Sequence, residues 1–356
     1  MYSWPMQLYG VNGDREKFRK LTSHPQQTIG CELFEALDGD MRAQRILRIR
    51  NGEIELEINV DRAFDIGRVL YRGIPTQWVS PAGFRHAHSF TPGAIEPDGW
   101  GWLRSWQGGF LTTIGYDHVG GPVLNPNRHL HPAVTGERRY TGGFGSLSPT
   151  TIEIVNVDWD KGTIEVQAKV RQAAAFAEHL VLTRRITMNF GEATFHLSDS
   201  IRNEGFIEEP VQVLYHINLG WPLLAPGTTL KTSATELLGC IKSAEGSDPT
   251  TMPEPTPLDI EKVWDWNAPA GPQWAELTNS NAAGRGPLTL RLDWDGNQLP
   301  HFMQWRNACE AMYVQGLEPA TTGLAGRAGD KSHAGPAPDI APGKSRNFDL
   351  QFTFKG

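Results

Sequence analysis

Cysteine is scarce and badly placed for cross-linking. Cys31, Cys240 and Cys309 are the only three in 356 residues, and no C-x-x-C pair or regular framework can be made from them. That excludes a disulfide scaffold and points to a reducing compartment. Basic charge is also in short supply: 33 Lys and Arg stand against 40 Asp and Glu, a net charge of −7, and no basic block occurs. Nucleic acid is therefore not an expected partner. Hydrophobic runs are short as well. Nothing reaches the roughly 18 apolar residues of a membrane span, and Met1-Tyr2-Ser3-Trp4-Pro5 does not read as the start of a secretory leader. A soluble, cytoplasmic protein with no membrane partner is expected. There is no G-x-S-x-G nucleophile elbow, and the glycine-rich stretch 320–327 lacks the lysine of a phosphate loop.

Turn-forming and aromatic residues are plentiful. With 38 Gly and 25 Pro the chain is punctuated too often for a helical bundle, and 12 Trp and 15 Phe supply a sizeable core without disulfides or metal. Strand patterns dominate from about residue 43. Ile54, Leu56, Ile58 and Val60 alternate with Glu53, Glu55, Glu57 and Asn59, the period of two that marks a half-buried strand. Ile164, Val166, Ala168 and Val170 alternate after the hairpin signal Asp160-Lys161-Gly162, and segments at 180–188 and 193–201 form another pair around Asn189-Phe190-Gly191-Glu192. Further strands are expected at 211–219, 287–294, 311–318 and 347–354. Successive antiparallel strands with short turns make an all-β sandwich or barrel. Residues 73–109 and the proline-rich 243–272 read as long surface connections of the kind that rim a site. The one helix-like stretch is Gln172 to His179, which is too short to secure a helix.

Two strands carry the candidate chemistry. In Val211 to Leu219, Val211, Val213, Tyr215 and Ile217 share one face and Gln212, Leu214, His216 and Asn218 the other. A strand covered by a second sheet on one side and a concave cleft on the other gives this pattern, with His216 and Asn218 in the cleft; the plain alternative is a core histidine satisfied by a carbonyl. In Ala311 to Glu318, Met312, Val314, Gly316 and Glu318 share a face. A carboxylate closing an apolar strand is paired, solvated at the rim, or kept for proton transfer. The pairs His86/His88 and His129/His131 sit among Gly, Pro and Asn, so no metal site is expected from them.

His216-Ile217-Asn218-Leu219, Leu317-Glu318-Pro319 and Ala341-Pro342-Gly343-Lys344 before a last strand together resemble the aldose 1-epimerase, or galactose-mutarotase-like, superfamily. The likeness is strongest to a branch whose members mostly have no assigned function. Asp61-Arg62-Ala63-Phe64-Asp65-Ile66-Gly67, Trp78-Val79-Ser80-Pro81, the run from Gly108 to His118, and Leu130-His131 echo the same pattern in the same order, from about residue 45 to the C-terminus. The sequence departs from it in two places: one residue rather than two separates His216 from Asn218, and Pro132-Ala133 replaces the usual Gly-Gly after His131.

The resemblance implies a large twisted antiparallel β-sandwich over 43–356, with residues 1–42 as an extension packed on it, and a sugar held on the concave face. It implies His216 as general acid, Glu318 as general base and His131 as a second sugar-binding histidine. Arg62, Arg104, Asp117, His118 and Asn218 are further candidate sugar contacts, and Trp102 or Trp305 a stacking surface. The aspartate that holds substrate hydroxyls in better-known members does not stand out in the sequence. Ring opening of a hemiacetal needs one base, one acid and no cofactor, and the acid and base are expected on opposite sides of the sugar. The alternatives are an isomerase or epimerase acting at a carbon next to a carbonyl, and a carbohydrate-binding sandwich without catalysis. Oligomeric state is not legible.

Overall fold

Alternation in the sequence becomes alternation of burial. In the strand Thr163–Ala173 every second residue is buried, including Ile164, Val166, Ala168 and Val170. The protein, a computed structural model, is described over residues 7–9, 11–12, 15–87, 100–114, 116, 118–125, 138–140, 148, 150–173, 178–209, 211–324, 326 and 340–356. Two large antiparallel sheets dominate it. One has eight strands in the order Thr150–Asp158, Thr163–Ala173, His179–Asn189, Thr194–Asn203, Ser345–Lys355, Leu288–Asp295, Pro272–Asn279 and Thr229–Thr232. The other runs Glu236–Cys240, Lys262–Asn267, His301–Asn307, Val314–Ala320, Leu214–Leu219, Leu111–Ile114, Asp65–Tyr71, Ile54–Asn59, Arg45–Arg50 and Gly30–Glu35, with the short strand Ile74–Pro75 beside Asp65–Tyr71.

Between the sheets lies one apolar core to which both contribute. Phe110, from the second sheet's side, meets Phe352 with ring centroids 5.4 Å apart, and Phe352 stacks on Phe195 at 4.6 Å. A polar cluster sits inside this core. Arg184, fully buried, donates from Nε and Nη2 to the two oxygens of Asp199 (2.9 and 2.7 Å), from Nη1 to Asp65 (3.0 Å) and from Nη2 to Thr113 Oγ1 (2.6 Å). Tyr215 donates to Asp199 at 2.9 Å. Arg184 and Asp199 belong to the eight-stranded sheet, and Asp65, Thr113 and Tyr215 to the other, so the guanidinium bridges them.

Several expectations change. The one α-helix of the described residues is Arg15–Leu21, whose Phe18 is buried and stacks on Trp159. The alanine-rich stretch instead contributes strand ends, at Gln172-Ala173 and again from His179, while 174–177 lie outside the described residues. The proline-rich 243–272 is not all connection, because it contains the strand Lys262–Asn267.

Removing Arg184 leaves two carboxylates buried without their cation, a loss of about 3–5 kcal/mol for a broken buried pair. Arg184→Met should lower the urea-unfolding free energy by that order, whereas Thr113→Val, which removes one hydroxyl, should cost about 1 kcal/mol. Equal small losses in both would mean that the cluster does not tie the sheets.

Candidate functional site

Register decides what meets on the face of the second sheet that is turned away from the core. Ile217 pairs with Leu317 and Asn218 with Gly316, which sets His216 opposite Glu318; Glu318 in turn pairs with Met303, and Met303 with Asp265. On the other side His216 pairs with Thr112. Thr112, His216, Glu318, Met303 and Asp265 therefore form one row across five strands, on the face away from the core. The inward residues of the same strand, Tyr215 and Ile217, are fully buried in the core, as the two-faced sequence pattern implied.

His216 Nε2 lies 3.2 Å from Glu318 Oε1. The pair is thus a cross-strand contact, and not an acid and a base held apart across a gap. Both residues are buried, and His216 Nδ1 and Glu318 Oε1 are sealed from solvent. Gly316 makes the fit possible: a Cβ there would overlap Glu318 Oε1. Asn218, two residues along from His216, is also buried, and its amide donates to the carbonyls of Gly109 and His216, both at 3.0 Å.

Tryptophans make the surroundings dry. The rings of Trp106 and Trp305 each approach the His216 ring edge-on, with centroids 5.2 Å away. Trp78 packs on both, Trp102 packs on Trp106, and Val314 and Met312 complete the cluster. Trp78 arrives because the segment around it pairs with the end of the His216 strand, Trp78 N–H donating to the Asn218 carbonyl at 2.9 Å. Trp305 spends its indole N–H on Glu261 at 3.0 Å. It stands as a wall against His216.

Burial without a compensating counter-charge disfavours both ionised forms. It pushes His216 down to about 3, an effect partly offset by the side chain of Asn218. It raises Glu318 well above the usual carboxylate range, and the nearby Glu261 adds to the rise. Both shifts act in the same sense, favouring a protonated Glu318 beside a neutral imidazole over the separated charges.

The other sequence candidates are scattered. Arg62 is buried and donates from Nη2 to the Ser105 carbonyl at 2.8 Å, next door to Trp106; burial lowers its pKa to about 10, with Asp65 opposing the shift. It stands on a turn in which Ala63 and Phe64 both adopt left-handed backbone (φ 55° and 57°), a conformation that costs free energy for residues with a Cβ. Arg104 is exposed on the 3-10 turn Trp100–Arg104 that also carries Trp102. His118 is buried with Nε2 at 2.9 Å from the Gly121 carbonyl. Asp117, His131, His88 and His129 lie outside the described residues. Among the described residues no group of three or more His, Cys, Asp or Glu could hold a metal, and no helix is long and apolar enough to cross a membrane.

Sequence reading missed Asp265 and His301. Asp265 is buried in the same row as Glu318, and its Oδ1 meets His301 Nδ1 at 2.9 Å. The signal that could have found it is the alternation of Val263, Asp265 and Asn267 against Trp264 and Trp266.

The raised carboxyl has a consequence for stability. Glu318 binds its proton more tightly folded than unfolded, so between the ordinary carboxylate value and its folded value the native state holds more protons, and stability falls as pH rises. His216 is the reverse case: from the ordinary imidazole value down to about 3 the unfolded chain holds more protons, and stability falls as pH drops. Glu318→Gln keeps a neutral group of similar shape and removes the alkaline loss. Its unfolding free energy relative to wild type should climb by about 1 kcal/mol or more between pH 5 and 8; a difference that does not change with pH would contradict the buried, protonated carboxyl.

The family model described as a domain of unknown function, DUF4432, matches residues 41–354. No protein with a curated description matches the sequence. Among solved structures, a Klebsiella pneumoniae protein provisionally named an aldose 1-epimerase superposes with a TM-score of 0.76 at 21% identity, covering 91% of this chain and 83% of its own. A galactose mutarotase-like protein from Clostridium acetobutylicum gives 0.60 at 11%, covering 93% and 99%. Galactose 1-epimerase from Lactobacillus acidophilus gives 0.52 at 10%, covering 92% and 99%. Identities this low carry the fold alone. The fold is thus that of the galactose mutarotase-like proteins, and the chain belongs to the DUF4432 family.

Proposed function

We propose that the protein is a carbohydrate epimerase that interconverts the anomers of a sugar by opening and closing its ring. The observation that carries the reading is the His216–Glu318 contact, sealed among tryptophans at the foot of the cleft face. The anomeric hydroxyl oxygen and the ring oxygen are bonded to the same carbon, so two proton-transfer groups in contact with each other can serve both.

Ring opening moves two protons and breaks one bond. Glu318, as carboxylate, takes the proton of the anomeric hydroxyl; the C–O bond to the ring oxygen breaks as the carbonyl forms; His216, as imidazolium, delivers its proton to the departing oxygen. The pair then holds its proton on Glu318 beside a neutral His216, the same distribution that burial favours in the free protein. Rotation about the bond to the next carbon and reversal of the transfers close the ring on the other face. The number of protons on the pair never changes, and no cofactor enters the chemistry. Binding of the closed sugar has to move a proton from Glu318 to His216, and sugar hydroxyl groups brought against these buried side chains are the polar contacts able to favour that transfer.

Arg62, Arg104, His118 and Asn218, together with Asp117 and His131, remain the proposed contacts to the sugar, with Trp305 as the wall that orients His216. A sugar-binding module without chemistry would have no use for an acid–base pair sealed at its floor. The same pair could instead move a proton from a carbon next to a carbonyl, which is the second enzymatic reading.

His216→Asn and Glu318→Gln should each reduce turnover at least about 10²-fold while sugar binding stays measurable. Because the two act on one transition state, the double variant should lose less than the product of the single losses. In wild type, kcat/KM should show no acid limb between pH 7 and 5, since the pair gains a second proton only near 3, and any alkaline limb belongs to Glu318, whose pKa burial raises. An acid limb at the ordinary imidazole value that His216→Asn abolishes, or full activity in either single variant, would contradict the assignment.

A further inference from the structure

Beside the proposed pair, the cleft face holds a second histidine–carboxylate pair. His301 opens the strand His301–Asn307 and pairs with Asn267 on one side and Ala320 on the other. It is therefore diagonal to Asp265 on one neighbouring strand and to Glu318 on the other, with Met303 following on its own strand. Diagonal neighbours in an antiparallel sheet stand about 7–8 Å apart, roughly the span of one sugar ring. His301 is partly exposed, in contrast to His216.

Its ring is held. Nδ1 meets Asp265 Oδ1 at 2.9 Å, and the other carboxylate oxygen receives the Leu324 N–H at 3.3 Å. Gly323 closes over both side chains: a Cβ there would overlap Asp265 Oδ2 and lie 3.1 Å from His301 Cε1. The segment that does this follows directly from the strand that carries Glu318, so the two pairs are placed by one piece of chain. A neutral imidazole whose Nδ1–H faces a carboxylate presents Nε2 as an acceptor. Between and beside the two pairs Met303 and Ala320 belong to a small buried apolar cluster with Val119 and Leu214, against which Leu324 packs. Polar pairs a ring's width apart, the outer one partly exposed and set in apolar surroundings, match a molecule with C–H faces and hydroxyl edges.

We infer that His301, oriented by Asp265, accepts a hydrogen bond from a hydroxyl at the end of the sugar remote from the reacting carbon and thereby sets which sugars the site takes. This rests on the sugar reading of the cleft but not on the reaction. It makes His301 a specificity residue, and Asp265 the group that positions it.

The test is binding of D-galactose and D-glucose and of their 3-deoxy, 4-deoxy and 6-deoxy analogues to wild type, His301→Ala, His301→Gln and Asp265→Asn, followed by protein NMR, with anomer exchange read in the same samples. Wild type should bind at least one parent sugar 10-fold or more tightly than one of its deoxy analogues. His301→Ala should bind that parent and that analogue alike, with KM raised and kcat changed little, and His301→Gln, which keeps an acceptor, should recover part of the discrimination. Asp265→Asn should weaken the same preference. The inference is overturned if His301→Ala keeps the wild-type preference, or if wild type binds none of these sugars. Sugar binding that discriminates through His301 without any anomer exchange would remove the epimerase reading and uphold this one.

Discussion

The buried guanidinium of Arg184 joins the two sheets through directed contacts. Two large sheets could slide or twist past each other on an apolar core, whose contacts have no direction. Arg184 has direction. Its fork fixes Asp199 within its own sheet and Asp65 and Thr113 in the other, and Tyr215 reaches Asp199 from the strand next to Thr113. Thr113 and Tyr215 are the sequence neighbours of Thr112 and His216, whose side chains lie on the opposite face. Burial pushes Asp65 up to about 6, against the pull of Arg184, and raises the Tyr215 hydroxyl well above its ordinary value, so the cluster holds its charges only as a set. The back of the site is thereby pinned in register before any group on its front is considered.

On the front, dryness does what charge does at the back. Around His216 and Glu318 stand tryptophan rings rather than counter-ions, and burial favours the uncharged form of each group. The tryptophans act first as a low-dielectric wall, which strengthens every polar contact that a ligand brings in. Trp305, with its ring edge on His216 and its N–H on Glu261, belongs to this wall.

How much could be read from sequence follows from what alternation reports. The half-buried strands announced themselves, and so did the two faces of 211–219 and of 311–318, because each strand's own pattern records what covers its sides. His301–Asn307 did not, since it is buried on both faces and shows no period of two. Lys262–Asn267 was hidden by the prolines around it. Neither pattern reports register, so the contact between His216 and Glu318, and the nearness of Asp265, were out of reach: both are properties of strand pairs. The helix Arg15–Leu21 is 7 residues long, too short for periodicity to mark it.

In the proposed reaction the His216–Glu318 pair moves hydroxyl protons and leaves carbon-bound hydrogens alone. Proton NMR of the sugar that binds, dissolved with the protein in D₂O, reads both events together. The prediction is faster exchange between the α and β anomer signals with every C–H signal keeping its full intensity. Protein-dependent loss of the signal at C1 or C2 would contradict it and would make Glu318 a base toward carbon.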